Sequence, residues 1–138
     1  MLALLSDLNK INTIEAPQAN VMATAVQGTF TLPDGNDPGA KTDHACAIWN
    51  ESTAANTWSP DVTATGNVTL LFGGYRCMTD QFTSAVYTPG QALSIAADGK
   101  LVDAIVGTDV VVAYALAAKD DAYSHRGSTY SALHIYVL

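Results

Sequence analysis

Residues 87–104 read YTPGQALSIAADGKLVDA, and the way this run turns back on itself decides the fold class. Leu93, Ile95 and Ala97 alternate as in a half-buried strand, and Leu101 and Val102 return after Asp98-Gly99. An Asp-Gly pair suits a two-residue hairpin loop, because both residues tolerate the positive φ that matches strand twist. That loop predicts a register with Ala97 opposite Lys100, Ile95 opposite Val102 and Leu93 opposite Ala104. One face then carries an apolar ladder, with Leu93, Ile95 and Val102 as core residues. Pro89-Gly90 ahead of it has the residues of a type II turn. A phosphate-binding loop would instead need successive glycines opening a helix, so the run reads as a hairpin.

Strand character continues on both sides. DVVVAYALAA (109–118) is rich in β-branched residues, and STYSALHIYVL (128–138) alternates strictly. In that last run Leu133, Ile135 and Val137 share one face while Tyr130, His134 and Tyr136 share the other. The tyrosine–histidine face is either ordinary core on a two-sided strand or a subunit interface, where Tyr is enriched. Upstream, GNVTLLFGGYRCMTDQF (66–82) alternates through Val68, Leu70 and Phe72 before Gly73-Gly74 marks a bend. CAIWNE (46–51) precedes a Ser/Thr/Asn-rich stretch. Short strands with frequent turns predict a mainly β protein, a small antiparallel barrel or sandwich.

The first 45 residues read differently. Leu2, Leu5, Leu8 and Ile11 fall on one stripe of a short helix that Pro17 would end. VMATAVQGTFTL (21–32) is extended in character, and PDGNDPG (33–39) is dense in turn residues. The expected organisation is an extended N-terminal arm and turn-rich segment over 1–45, with room for one short helix, followed by a β domain over 46–138.

Bulk composition narrows the partners. The chain has 138 residues, 49% of them hydrophobic and only 14% charged, against roughly 25% charged in ordinary domains. So few charges favour burial of some surface against a partner or a sister subunit. Net charge is −7, and the six Lys and Arg are scattered singly. Nucleic acid and anionic membranes are therefore disfavoured as partners. The opening MLALLSDLNK lacks a basic n-region and no apolar run is long enough to span a bilayer. Cys46 and Cys77 read as small core residues in a reducing compartment.

Chemical motifs are sparse. His44, His125 and His134 are the only histidines, and Asp43, His44 and Cys46 lack the second ligand pair of a zinc site. From Asp34, an EF-hand reading fails at Pro38 and Ala45. DDAYSHRG (120–127) reads as a solvated hairpin loop. Nucleophile elbow, P-loop and zinc-protease motifs do not occur. A non-enzyme that uses no cofactor and no metal is expected.

The order of VTLLFGGYRCMTDQF, YTPGQALSIAADGKLVDA, DVVVAYALAA and the terminal ALHIYVL resembles the capsid decoration (cement) proteins of tailed bacteriophages, over roughly residues 44–138. The resemblance implies a compact β-rich domain, commonly a homotrimer. It would sit on the outer surface of the expanded icosahedral head, made in the host cytoplasm, and bridge neighbouring major capsid protein subunits without catalysis. An N-terminal arm laid along the shell is part of that picture. On it, Leu2, Leu5, Leu8, Val21, Met22, Val26 and Phe30 are the candidate capsid contacts, unless they belong to the subunit's own core. Tyr130, His134 and Tyr136 are the candidate subunit interface. Trp49, Trp58, Tyr75 and Tyr87 are either core or anchors. A glycan-binding β-sandwich using Trp49, Trp58 and Tyr75 as a platform, or a tail or head–tail component, are the competing readings.

Overall fold

A lone hairpin is marginal in water, and a strand that is apolar on one face gains stability from further strands beside it. The computed structural model, which describes residues 1–7, 10–17, 28–31, 46–51, 67–83 and 85–138, gives the terminal strand such neighbours. β11 (Ser128–Val137) lies between β6 (Tyr75–Thr79) and β9 (Ala113–Ala115), antiparallel to both. Around it runs a seven-stranded sheet of order β1-β6-β11-β9-β7-β8. Its further members are β1 (Leu2–Leu4), β7 (Ala92–Ile95) and β8 (Leu101–Asp103), and β10 (Asp120–His125) pairs with β11 off this path. Leu133, Ile135 and Val137 are fully buried, as the alternation requires, while Tyr136 on the opposite face is 38% exposed.

The hairpin of residues 92–103 forms, but one residue out of the expected register. Leu93 faces Asp103, Ser94 faces Val102 and Ile95 faces Leu101. The loop holds three residues rather than two. Gly99 N–H donates to the Ala96 carbonyl at 2.9 Å, and Ala96 N–H donates to the Lys100 carbonyl at 2.9 Å. Only Gly99 takes a positive φ (82°), the pattern of a type I turn closed by a glycine bulge. Asp98 serves the turn through its carboxylate, which accepts the Lys100 N–H at 3.1 Å. Because side chains alternate, the slip puts Leu101 in the core, fully buried, and leaves Val102 only half-buried.

A second antiparallel sheet has the order β2-β5-β4-β3. Its strands are β2 (Thr13–Pro17), β3 (Phe30–Thr31), β4 (Cys46–Glu51) and β5 (Asn67–Leu71). The chain passes from β5 to β6 through the Gly73-Gly74 bend, where Gly74 has φ 88°. Gly73 is required for close approach, since a methyl there would overlap the Leu138 carbonyl. The two sheets share one core. Phe30, Ala47 and Leu71 from the second sheet pack in the same buried cluster as Leu2, Tyr75, Leu101, Leu133 and Ile135 from the first. Phe30 N–H also donates to the Gly99 carbonyl at 2.8 Å, tying β3 to the hairpin loop. The architecture is thus two open antiparallel sheets, not a closed barrel.

The expected N-terminal helix is replaced by a strand. Leu2, Ala3 and Leu4 pair with Thr79, Met78 and Cys77, so Leu2 enters the core and Ala3 faces the other way. An isolated helical turn this short is unstable in water, whereas β6 offers an edge that satisfies the backbone. The Met1 amino group lies 2.6 Å from Asp80 Oδ1, and Gln81 Nε2 donates to the same oxygen at 2.8 Å.

Candidate interaction surface

The outward face of the large sheet is built by cross-strand register. Arg76 lies opposite Tyr136, Tyr136 opposite Tyr114, and Tyr114 opposite Ala92, so these four residues form a row across the strands. The next row runs from Ala3 to Met78 and on to His134. Leu116 closes it by donating its N–H to the His134 carbonyl at 2.8 Å. Tyr114, Leu116 and Tyr136 are 37–38% exposed. None of these eight residues is acidic, in a chain that carries 13 Asp and Glu.

Farther along β11 the same face is partly covered. Tyr123 and Tyr130 are paired in register and pack against a small buried cluster of Met1, Ala3, Met78 and Ala132. His125 stacks on Tyr123 with ring centroids 6.3 Å apart. The DDAYSHRG segment is therefore strand β10 followed by a tight turn rather than a loop. Arg126 and Gly127 both take positive φ, 49° and 81°, as a two-residue type I′ connection demands.

Electrostatics on this surface are local. His134 is half-buried with its Nε2 shielded from solvent and without a hydrogen-bond partner. Burial, aided by the Arg76 charge, pushes its pKa down. Burial and the Arg126 charge push His125 down as well. On the opposite face of the hairpin, Asp121 accepts from Lys119 Nζ at 2.7 Å and from the Ser131 hydroxyl at 2.5 Å. These bonds, Lys119 first, hold its carboxyl below the usual range. Cys77 is a free, buried thiol whose pKa desolvation raises strongly.

The positions marked by the sequence distribute unevenly. Tyr130, His134 and Tyr136 do share one face of β11, from half-buried to exposed. Leu2 and Phe30 are corrected: both are fully buried in the chain's own core and cannot offer their side chains to a capsid. Leu5, just beyond β1, is 42% exposed and bonds through its N–H to the Arg76 carbonyl. Leu8, Val21, Met22 and Val26 lie outside the described residues, as do Trp58, the PDGNDPG turn and His44. Tyr75 and Tyr87 are buried and Trp49 packs against the core, so the expected aromatic platform does not form from Tyr75 and Trp49. The exposed tyrosine pair is instead Tyr114 with Tyr136. Its signal in the sequence is the alternation Ala113-Tyr114-Ala115-Leu116, which puts Tyr114 and Leu116 on one face but does not say that the face is open.

Such an arrangement offers flat aromatic and aliphatic contact with one guanidinium at its margin, suited to packing and cation–π contact. Among the described residues, no group of three or more His, Cys, Asp or Glu could hold a metal ion. No helix there is long and apolar enough to cross a membrane. Comparison with protein-family models, with curated proteins and with solved structures finds no match to this chain.

Proposed function

We propose that the protein is a non-enzymatic structural component of a tailed-phage particle. In this reading it is a decoration protein that docks on the outer surface of the icosahedral head and clamps neighbouring major capsid protein subunits. The observation that carries the reading is the acid-free outer face around Tyr114, Tyr136 and Arg76 on an otherwise acidic chain. A surface kept apolar, aromatic and free of like charge is suited to association with protein. The resemblance to decoration proteins adds support; of the segments that carry it, β6, the β7–β8 hairpin, β9 and β11 lie in the large sheet and β5 in the second.

Mechanically, each docked copy would add an interface that must open before the shell ruptures, with the surplus over association costs set by contact quality. Self-association would extend a clamp across several capsid subunits. The test adds purified protein to expanded heads of the cognate phage lacking it. Occupancy with a raised rupture temperature supports the proposal, and full occupancy at an unchanged rupture temperature overturns it. Tyr136→Asp, on the open face, should abolish docking while the variant stays folded.

The glycan-binding reading now rests on a different pair of rings, Tyr114 and Tyr136, adjacent on neighbouring strands. Specific retention on a glycan array, lost in Tyr114→Ala, would favour it over capsid docking.

A further inference from the structure

Sheet edges in soluble proteins are normally guarded, because an open row of N–H and C=O groups pairs with any passing strand. Several edges among the described residues follow that rule. β10 carries a bulge between Asp120 and Tyr123, and the Ala122 N–H is taken by the Asp120 carboxylate at 2.9 Å. Beside β8, Leu101 N–H donates to the Gln81 carbonyl at 3.0 Å and its carbonyl accepts from Thr83 N–H at 2.9 Å. β2 contains Glu15 and Pro17. β3 spends its Phe30 N–H on Gly99.

Residues 128–131 of β11 do not follow that rule. β6 ends at Thr79, opposite Leu133, so β11 from Ser128 to Ser131 keeps β10 on one edge and, among the described residues, no strand on the other. The direction of its groups follows from the ladder. The Val137 carbonyl accepts from Gly74 N–H on the β6 side, and the His134 carbonyl accepts from Leu116 on the β9 side. Odd-numbered residues of β11 therefore aim their backbone polar groups toward the β6 side. Thr129 and Ser131 are both exposed, and among the described residues no strand pairs with those groups. Ser128, Thr129, Tyr130 and Ser131 bring no charge, no proline and no bulge to guard this edge.

We infer that this edge is a self-association site: residues 128–130 pair antiparallel with the same residues of a second copy, about a twofold axis at Thr129. A second copy fits because the edge is uncharged in a chain of net charge −7, so pairing here sets no acid against acid. Sterics select the register. An axis at Tyr130 would drive the Arg126-Gly127 turn of the second copy into Thr79. An axis at Thr129 sets Arg126 of the second copy level with Ala132, one residue beyond the Thr79–Leu133 pair that ends β6. The two Thr129 residues then exchange N–H to C=O bonds. The strip is short, so a weak, concentration-dependent dimer is expected, dissociating on the order of tens of micromolar. Held side by side on a larger assembly, copies would pair far more completely through their raised effective concentration. The inference does not depend on the proposed capsid role.

The test is sedimentation of the purified chain up to roughly 200 µM, well above the affinity expected of a small interface, alongside three variants. Thr129→Lys sets two like charges opposite each other and should weaken dimerisation at least tenfold. Thr129→Cys should form a disulfide-linked dimer on mild oxidation, because a hydrogen-bonded antiparallel pair places its Cα atoms about 5.5 Å apart, within disulfide reach. Ser124→Cys, on the bulged edge, should not crosslink. A wild-type monomer throughout, a trimer, or a dimer indifferent to Thr129→Lys would overturn the inference. Circular dichroism confirms that each variant, altered at an exposed position, remains folded.

Discussion

Replacing Leu101 with alanine removes a fully buried side chain from the cluster that joins the two sheets. Leucine-to-alanine changes at such sites cost about 2–5 kcal/mol, the lost transfer free energy plus a cavity; a value near ~3 is expected, since β8 lies at the sheet margin and its neighbours can partly relax. Val102, one residue along, is half-buried. Valine to alanine deletes two methylene equivalents at about 0.8 kcal/mol each when fully buried, so about 0.8 kcal/mol is expected. Urea titration separates the two. With a slope of about 2 kcal/mol/M, Leu101→Ala should lower the midpoint by about 1.5 M and Val102→Ala by less than about 0.5 M. Thermal melts should show a drop of about 10 °C for the first and about 3 °C for the second. The contrast depends on the three-residue loop closed by Gly99. A two-residue Asp-Gly loop would put Val102 opposite Ile95 and reverse the order. A Val102→Ala loss equal to or greater than that of Leu101→Ala would refute the register.

Three further outcomes are expected. Asp80→Ala removes the acceptor shared by the Met1 amino group and Gln81 Nε2, and should lower stability by about 1.5–3 kcal/mol in chemical denaturation. Gly73→Ala sets a methyl against the Leu138 carbonyl and should loosen the end of β11, seen as faster amide exchange at Val137 and Leu138 with wild-type exchange at Gly99. Burial lowers the pKa of His134 in the folded chain, so the unfolded chain binds the proton more readily. Stability should then fall as pH drops through the ordinary histidine range, about 6.5, and level off below the folded-state pKa. His134→Gln should flatten that part of the stability–pH curve, and an unaltered slope would show that His134 does not contribute to it.

Much of the large sheet is legible in the sequence because its signals are short-range. The period-two pattern of Leu133, Ile135 and Val137 identifies a buried face whatever lies beside it, and Gly73-Gly74 marks a bend because only glycine fits against Leu138. The hairpin is legible in kind but not in register, since Asp-Gly serves two-residue and three-residue loops alike and the choice falls to packing of Leu101 against β3. At the start of the chain the residues mislead. Leu2, Leu5 and Leu8 fit a helical stripe, but the edge of β6, seventy-odd residues away in sequence, determines that Leu2–Leu4 is a strand. The candidate surface is legible only by half. Tyr130, His134 and Tyr136 follow from alternation within one strand, whereas the addition of Arg76 and Tyr114 depends on which strands lie beside it. Openness of a face is a property of the assembled sheet, so no single segment announces it.

The central place of β11 has a consequence for synthesis. On the ribosome, β1 and β6 emerge early and β7, β8 and β9 follow, yet the strand that joins β6 to β9 is made after all of them. Until it arrives, the early strands form two separate pieces, each with a bare edge that the nascent chain must keep from pairing wrongly. Closure of the large sheet is therefore a late, long-range event, slow by the logic of non-local contacts. A message cut short before Leu133 would yield a chain with nearly every strand in hand and no means of joining them, a product for proteolysis or aggregation rather than a shortened working protein.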